Sequence, residues 1–120
     1  MKTLLVLAQH PEAAEELRTG LPADQFRIIH RLDPNEAEAL LVHGLADACV
    51  LDVELTGVQG IWSLEKLRRR APKCPVIVYT GAKPWEWEEE AYEKGASHVL
   101  TKPVRPRMLA ALLERLWRAK

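Results

Sequence analysis

Five apolar runs of four or five residues, separated by segments of helical length, recur along the chain at residues 3–7, 26–30, 48–51, 76–80 and 98–101. The runs have strand length, and the segments between them are too long for hairpin turns. Such strands pair in parallel and cross over through helices. A parallel sheet carries helices on both faces, so its strands read as continuous apolar runs instead of alternating ones. Right-handed crossovers leave few arrangements. The pattern predicts an α/β fold: a doubly wound, flavodoxin-like (βα)5 sheet of five parallel strands in the order 2-1-3-4-5. A chain of 120 residues suits one domain, 1–120.

The intervening segments carry helix punctuation. Pro11 suits a first helical position, Glu12, Glu15 and Glu16 favour the positive end of the helix dipole, and Gly20 is the expected stop. Asp33-Pro34-Asn35-Glu36 reads as a capping box, with Gly44 as the stop. Gly60 opens a third segment in which Ile61, Leu64 and Leu67 share a face, with Trp62 near the crevice rim. Pro84 opens a fourth, with Glu86, Glu88, Glu89 and Glu90 near its start and Gly95 after its end. Met108, Leu109, Leu112, Leu113 and Leu116 give the last helix an apolar stripe.

Lys plus Arg and Asp plus Glu number 17 each, so no excess charge favours nucleic acid or an acidic membrane surface. No apolar run approaches the roughly 20 residues that span a bilayer. No secretory leader is read at the N-terminus, and the expected location is cytoplasmic. Cys49 and Cys74 lack CxxC spacing and read as reduced, buried filler.

In a doubly wound sheet the ligand crevice lies beyond the carboxyl ends of the strands. Those ends deliver Ala8 and Gln9, Asp52, Thr80 and Lys102. Asp52 is a potential nucleophile, Thr80 a hydroxyl donor to an oxyanion, and Lys102 a cation for the same oxyanion. No separate general base or cofactor fingerprint accompanies them, so an enzyme is not expected and no residue is assigned as catalytic. His10 reads as an exposed residue before Pro11. His30, His43 and His98 fall on separate elements without metal-ligand spacing and receive no role.

Three segments carry a resemblance: "VLDVELTGVQG", "PVIVYTG" and "GASHVLTKP". Together, in that order and spacing, they resemble the receiver domain of two-component response regulators over essentially the whole chain. The resemblance implies that Asp52 holds the phosphoacceptor position, Thr80 the switch hydroxyl position and Lys102 the lysine of the Lys-Pro turn. Two departures stand out. The acidic pair that holds Mg²⁺ in the family falls at Ala8 and Gln9, and the aromatic switch position falls at Val99. A smaller one puts Thr56 where the family commonly has Pro.

Charge arithmetic follows from the first departure. The family's three carboxylates and one lysine leave a net charge of minus two for Mg²⁺ to neutralise, whereas Asp52 and Lys102 already balance. The Asp52 carboxylate, the Gln9 amide and the backbone carbonyl of Glu54 make a poor set for Mg²⁺. The expectation is therefore an atypical, pseudo-receiver signalling module of a phosphorelay, working by protein contacts, with no cofactor. The alternative is an orthodox receiver phosphorylated on Asp52 through a weakened Mg²⁺ site. Expected partners are a sensor kinase, an output domain or a second copy, with neither nucleic acid by itself nor membrane. Trp85 and Tyr92 lie seven apart on one helical face and Trp87 on another, a candidate partner surface. In the family, the fourth helix, fifth strand and fifth helix commonly form such a surface.

Overall fold

Strand and helix alternate through the described residues. β1 (Lys2–Leu7) leads to α1 (Glu12–Gly20), β2 (Phe26–Arg31) to α2 (Pro34–Val42) and β3 (Ala48–Asp52) to α3 (Val58–Arg70). β4 (Val76–Thr80) leads to α4 (Glu88–Glu93), and β5 (His98–Thr101) to α5 (Pro106–Arg118). The structure, a computed structural model, describes residues 1–52, 58–80, 88–101 and 105–118, with side chains in α3 from Ser63 onward.

All four strand pairs are parallel, and the order is β2-β1-β3-β4-β5. That is the doubly wound sheet expected from the spacing of the apolar runs. Val6 of β1 is flanked by His30 of β2 and Val50 of β3. Asp52 lies opposite Tyr79, and Thr80 opposite Thr101.

Successive side chains of a strand serve opposite faces, so a strand covered on both sides needs apolar residues throughout. Leu4, Val6, Val50, Ile77 and Tyr79 pack with residues of α1 and α5 in one core. Leu5, Leu7, Leu51, Val76 and Val78 pack with residues of α2, α3 and α4 in the other. Full burial of a side chain of this size contributes about 1.5–3 kcal/mol. β1, β3 and β4, buried along most of their length, therefore anchor the sheet, while the edge strands β2 and β5 are only partly covered.

The helix ends follow the punctuation in part. Asp33 accepts the Asn35 N–H, Pro34 opens α2, and Gly44 closes it at φ 70°. Gly95 follows α4 at φ 111°, a region that L side chains rarely adopt. Four expectations need correction. Pro11 is the cap residue before α1, which begins at Glu12, not its first helical residue. Gly20 is the last residue of α1, not its left-handed stop, and the helix closes on Leu21, whose N–H returns to the Leu17 carbonyl. Its glycine answers a different demand, because a Cβ there would sit 2.2 Å from Cγ of Pro106 at the start of α5. α3 begins at Val58, two residues before Gly60. Met108 is 58% exposed and does not join the stripe, which is buried at Leu109, Leu112 and Leu113 and continued by half-buried Leu116 and Trp117. Pro84, Glu86 and the side chains of Ile61 and Trp62 lie outside the described residues.

Candidate functional site

The carboxyl ends of the strands gather the polar residues. β1 runs into Ala8, which is buried, and the Ala8 N–H donates to the Arg31 carbonyl at 3.2 Å. Leu7 pairs with Leu51, so the next residues on the two strands, Ala8 and Asp52, lie side by side. Asp52 is half-buried at the end of β3. Across from it stands Tyr79, and the next residue is Thr80, only 1% exposed at the end of β4. Asp52, Tyr79 and Thr80 are each engaged in a polar, ring or electrostatic interaction. Gln9 is exposed beyond the end of β1. The sheet thus brings Ala8, Asp52 and Thr80 to one edge. Lys102, which follows the last residue of β5, lies outside the described residues, as do Glu54, Thr56, Trp85 and Trp87.

A residue given no role from the sequence completes this edge. The ring nitrogen Nε2 of His30 lies 2.7 Å from the Ala8 carbonyl oxygen. A carbonyl only accepts, so Nε2 carries the proton and donates. Arg31 in turn donates from its guanidinium to the His30 carbonyl at 2.7 Å. β2 therefore holds the end of β1 by a main-chain bond and a side-chain bond at once. Spacing searches for metal ligands do not reveal such a contact. The available signal was register, because a histidine flanking Val6 can reach the carbonyl two residues further along.

The donor set decides what this edge can hold. Ala8 contributes a buried methyl group, and Gln9 a neutral amide. Among the described residues no three His, Cys, Asp or Glu side chains converge as a metal site. Mg²⁺ favours carboxylates and water in near-octahedral geometry, and one carboxylate with one hydroxyl is a poor match. The described edge instead offers an acceptor carboxylate on Asp52 and, on the adjoining strand, a hydroxyl on Thr80.

Val99 is half-buried against the second core, and its N–H donates to the Tyr92 hydroxyl at 3.2 Å. That bond ties α4 to the edge strand β5 while Tyr92 keeps 42% of its surface exposed. Cys49 and Cys74 are free thiols; Cys49 is buried as expected, whereas Cys74 is only half-buried in the loop before β4. Burial pushes the Cys74 thiol up to about 11 and raises that of Cys49 further. Both are protonated and unreactive near neutrality.

The response regulator receiver domain family matches residues 4–114, and the chain belongs to that family. It is 30% identical over 106 residues to the transcriptional regulatory protein ComA of Bacillus subtilis, an overlap of 85% of this chain and 50% of ComA. Identity to the phosphate regulon transcriptional regulatory protein PhoB of Pseudomonas aeruginosa is 27% over 119 residues, 98% of this chain and 52% of PhoB. The chain therefore spans about half the length of these curated relatives. Among solved structures, a response regulator from Thermotoga maritima superposes with a TM-score of 0.85 over 97% of both chains at 20% identity. The receiver domain of the response regulator TorR gives 0.83 over 100% of both, also at 20% identity. At that identity the structural likeness establishes the fold.

Proposed function

We propose that this receiver domain is an atypical one, a signalling module of a two-component system that works through protein contacts without Mg²⁺-dependent phosphorylation. The observation that carries this reading is the end of β1. Buried Ala8 and exposed Gln9 stand where the acidic metal pair would be, and β2 already takes both the N–H and the carbonyl of Ala8. In-line transfer to a carboxylate adds negative charge that a metal normally offsets. Asp52 keeps the phosphoacceptor position, Thr80 and Lys102 the positions that would contact its oxyanion. In this reading Asp52 and Lys102 form an ion pair across the crevice. At about 4 Å and an effective dielectric of 20 such a pair attracts by about 4 kcal/mol before desolvation is subtracted.

Contact with a sensor kinase, an output domain or a second copy is assigned to the α4 side, through Trp85, Trp87 and Tyr92. The exposed ring of Tyr92, fastened to β5 through its hydroxyl, supports that assignment. With Val99 at the aromatic switch position, no ring swings there to relay a change at Asp52. Titrating the isotopically labelled chain with Mg²⁺ while following the amides of Ala8, Gln9 and Asp52 tests the reading. No saturable shift is expected at millimolar Mg²⁺, and a saturating response at those amides would return Asp52 to the orthodox role.

A further inference from the structure

At the opposite end of the sheet from Asp52, the starts of β1 and β3 and the last turns of α2, α3 and α5 frame an open groove of about 460 Å³. We propose that this groove is a binding site for a small organic anion with an apolar body, of the aromatic carboxylate class.

Its floor is apolar, formed by Leu41, Ala46 and Ala71, and Lys2, Arg70 and Lys73 stand around it. Trp117 forms one wall. The Trp117 indole is fixed in place, because its Nε1–H donates to the Asp47 carbonyl at 3.0 Å and the Lys2 ammonium lies 4.8 Å from the ring centroid. Among the described residues Asp47 is the one acid in the lining, and its Oδ2 is taken by the Thr3 N–H at 2.7 Å. Arg70 is partly offset by Glu38 at 2.9 Å but remains 58% exposed. Lys73 is exposed and enters no ion pair among the described residues. Three cations thus face one acid that is already engaged.

Helix C-termini meet at this end of the sheet, and their carbonyls draw cations for reasons unrelated to a ligand. Arg68 is taken up by a loop carbonyl, that of Cys74 between α3 and β4. Lys2 and Lys73 donate to no such carbonyl among the described residues, so their charge is available to a bound anion. Ligand sites commonly enclose roughly 300–1,000 Å³, with mostly apolar walls and a few convergent polar groups. The groove has that size, though its exposed lining is divided about evenly between polar and apolar surface, the polar share slightly larger. A carboxylate would sit between Lys2 and Lys73, with its ring over Ala46 and Ala71 beside Trp117.

Nuclear magnetic resonance titration of the labelled chain with 2-naphthoate, 2-naphthamide and inorganic phosphate separates the contributions of charge and apolar body. Naphthoate is expected to shift the Trp117 indole N–H and the amides of Gly44 and Cys74 saturably, leaving Asp52 unmoved. Lys73→Glu should weaken that binding about tenfold, the equivalent of about 1.4 kcal/mol. Lys73 is exposed, so the exchange spares the fold, and an unchanged thermal midpoint verifies this. The proposal is overturned if naphthoate gives no saturable shift at millimolar levels. Equal binding of the neutral amide, equal shifts from phosphate alone, or an unchanged affinity in Lys73→Glu overturn it as well.

Discussion

Replacing Ala8 and Gln9 together by aspartate should make the fold dependent on Mg²⁺. Ala8 lies beside Asp52 on the neighbouring strand, and strands in a sheet are about 4.8 Å apart. A carboxylate at position 8 therefore comes within about 5 Å of the Asp52 carboxylate and repels it by about 3 kcal/mol at an effective dielectric of 20. The His30 bond survives the exchange, because it is made to the main-chain carbonyl. For a chain of this size, 1 kcal/mol moves the thermal midpoint by roughly 4 °C, so the metal-free variant should melt roughly 12 °C below wild type. Mg²⁺ at a hundred times its dissociation constant returns about 2.7 kcal/mol, or roughly 11 °C. Thermal denaturation followed by circular dichroism, with and without Mg²⁺, reads both effects. Wild type should show no Mg²⁺-dependent rise. If wild type gains as much as the variant, or the variant gains nothing, the charge argument at the end of β1 is wrong.

Other parts of the structure give further expectations. Leu113→Ala should cost about 2–5 kcal/mol in chemical denaturation, whereas Met108→Ala, at an exposed position, should stay within about 0.5 kcal/mol of wild type. Gly95→Ala forces a side chain into φ 111° with its Cβ 2.7 Å from Cγ of Arg68, and should destabilise by about 1–3 kcal/mol in the same assay. Burial raises the Cys74 thiol from its ordinary 9.0 to about 11, so the folded state holds this proton where the unfolded chain releases it. The resulting stability is present below pH 9 and falls as pH rises towards 11, and denaturation midpoints across that range should fall less steeply in Cys74→Ala.

The fold was legible because burial on both faces of a parallel sheet imprints itself as uninterrupted apolar runs, and the runs at β4 and β5 coincide with the observed strands. Gly44 and Gly95 were legible as stops because a positive φ leaves few alternatives to glycine. Gly20 was misread because its cause lies 86 residues away, in the close approach of Pro106. Met108 was misread because a stripe in sequence does not say where the covered arc of a helix ends. The strand-end rule expected Ala8, Asp52 and Thr80 together, and the sheet places them at one edge. The His30 contact was hidden because it joins a side chain to a main-chain carbonyl, which no spacing of side-chain types records.

The central claim is that the phosphoacceptor position is kept without its chemistry, and the most direct test is intact mass spectrometry. Wild type and Asp52→Asn would each be incubated with acetyl phosphate and millimolar Mg²⁺ and measured at once, before an acyl phosphate can hydrolyse. The account predicts that both chains keep their unmodified mass. A stoichiometric gain of one phosphoryl group in wild type, absent from Asp52→Asn, would contradict it.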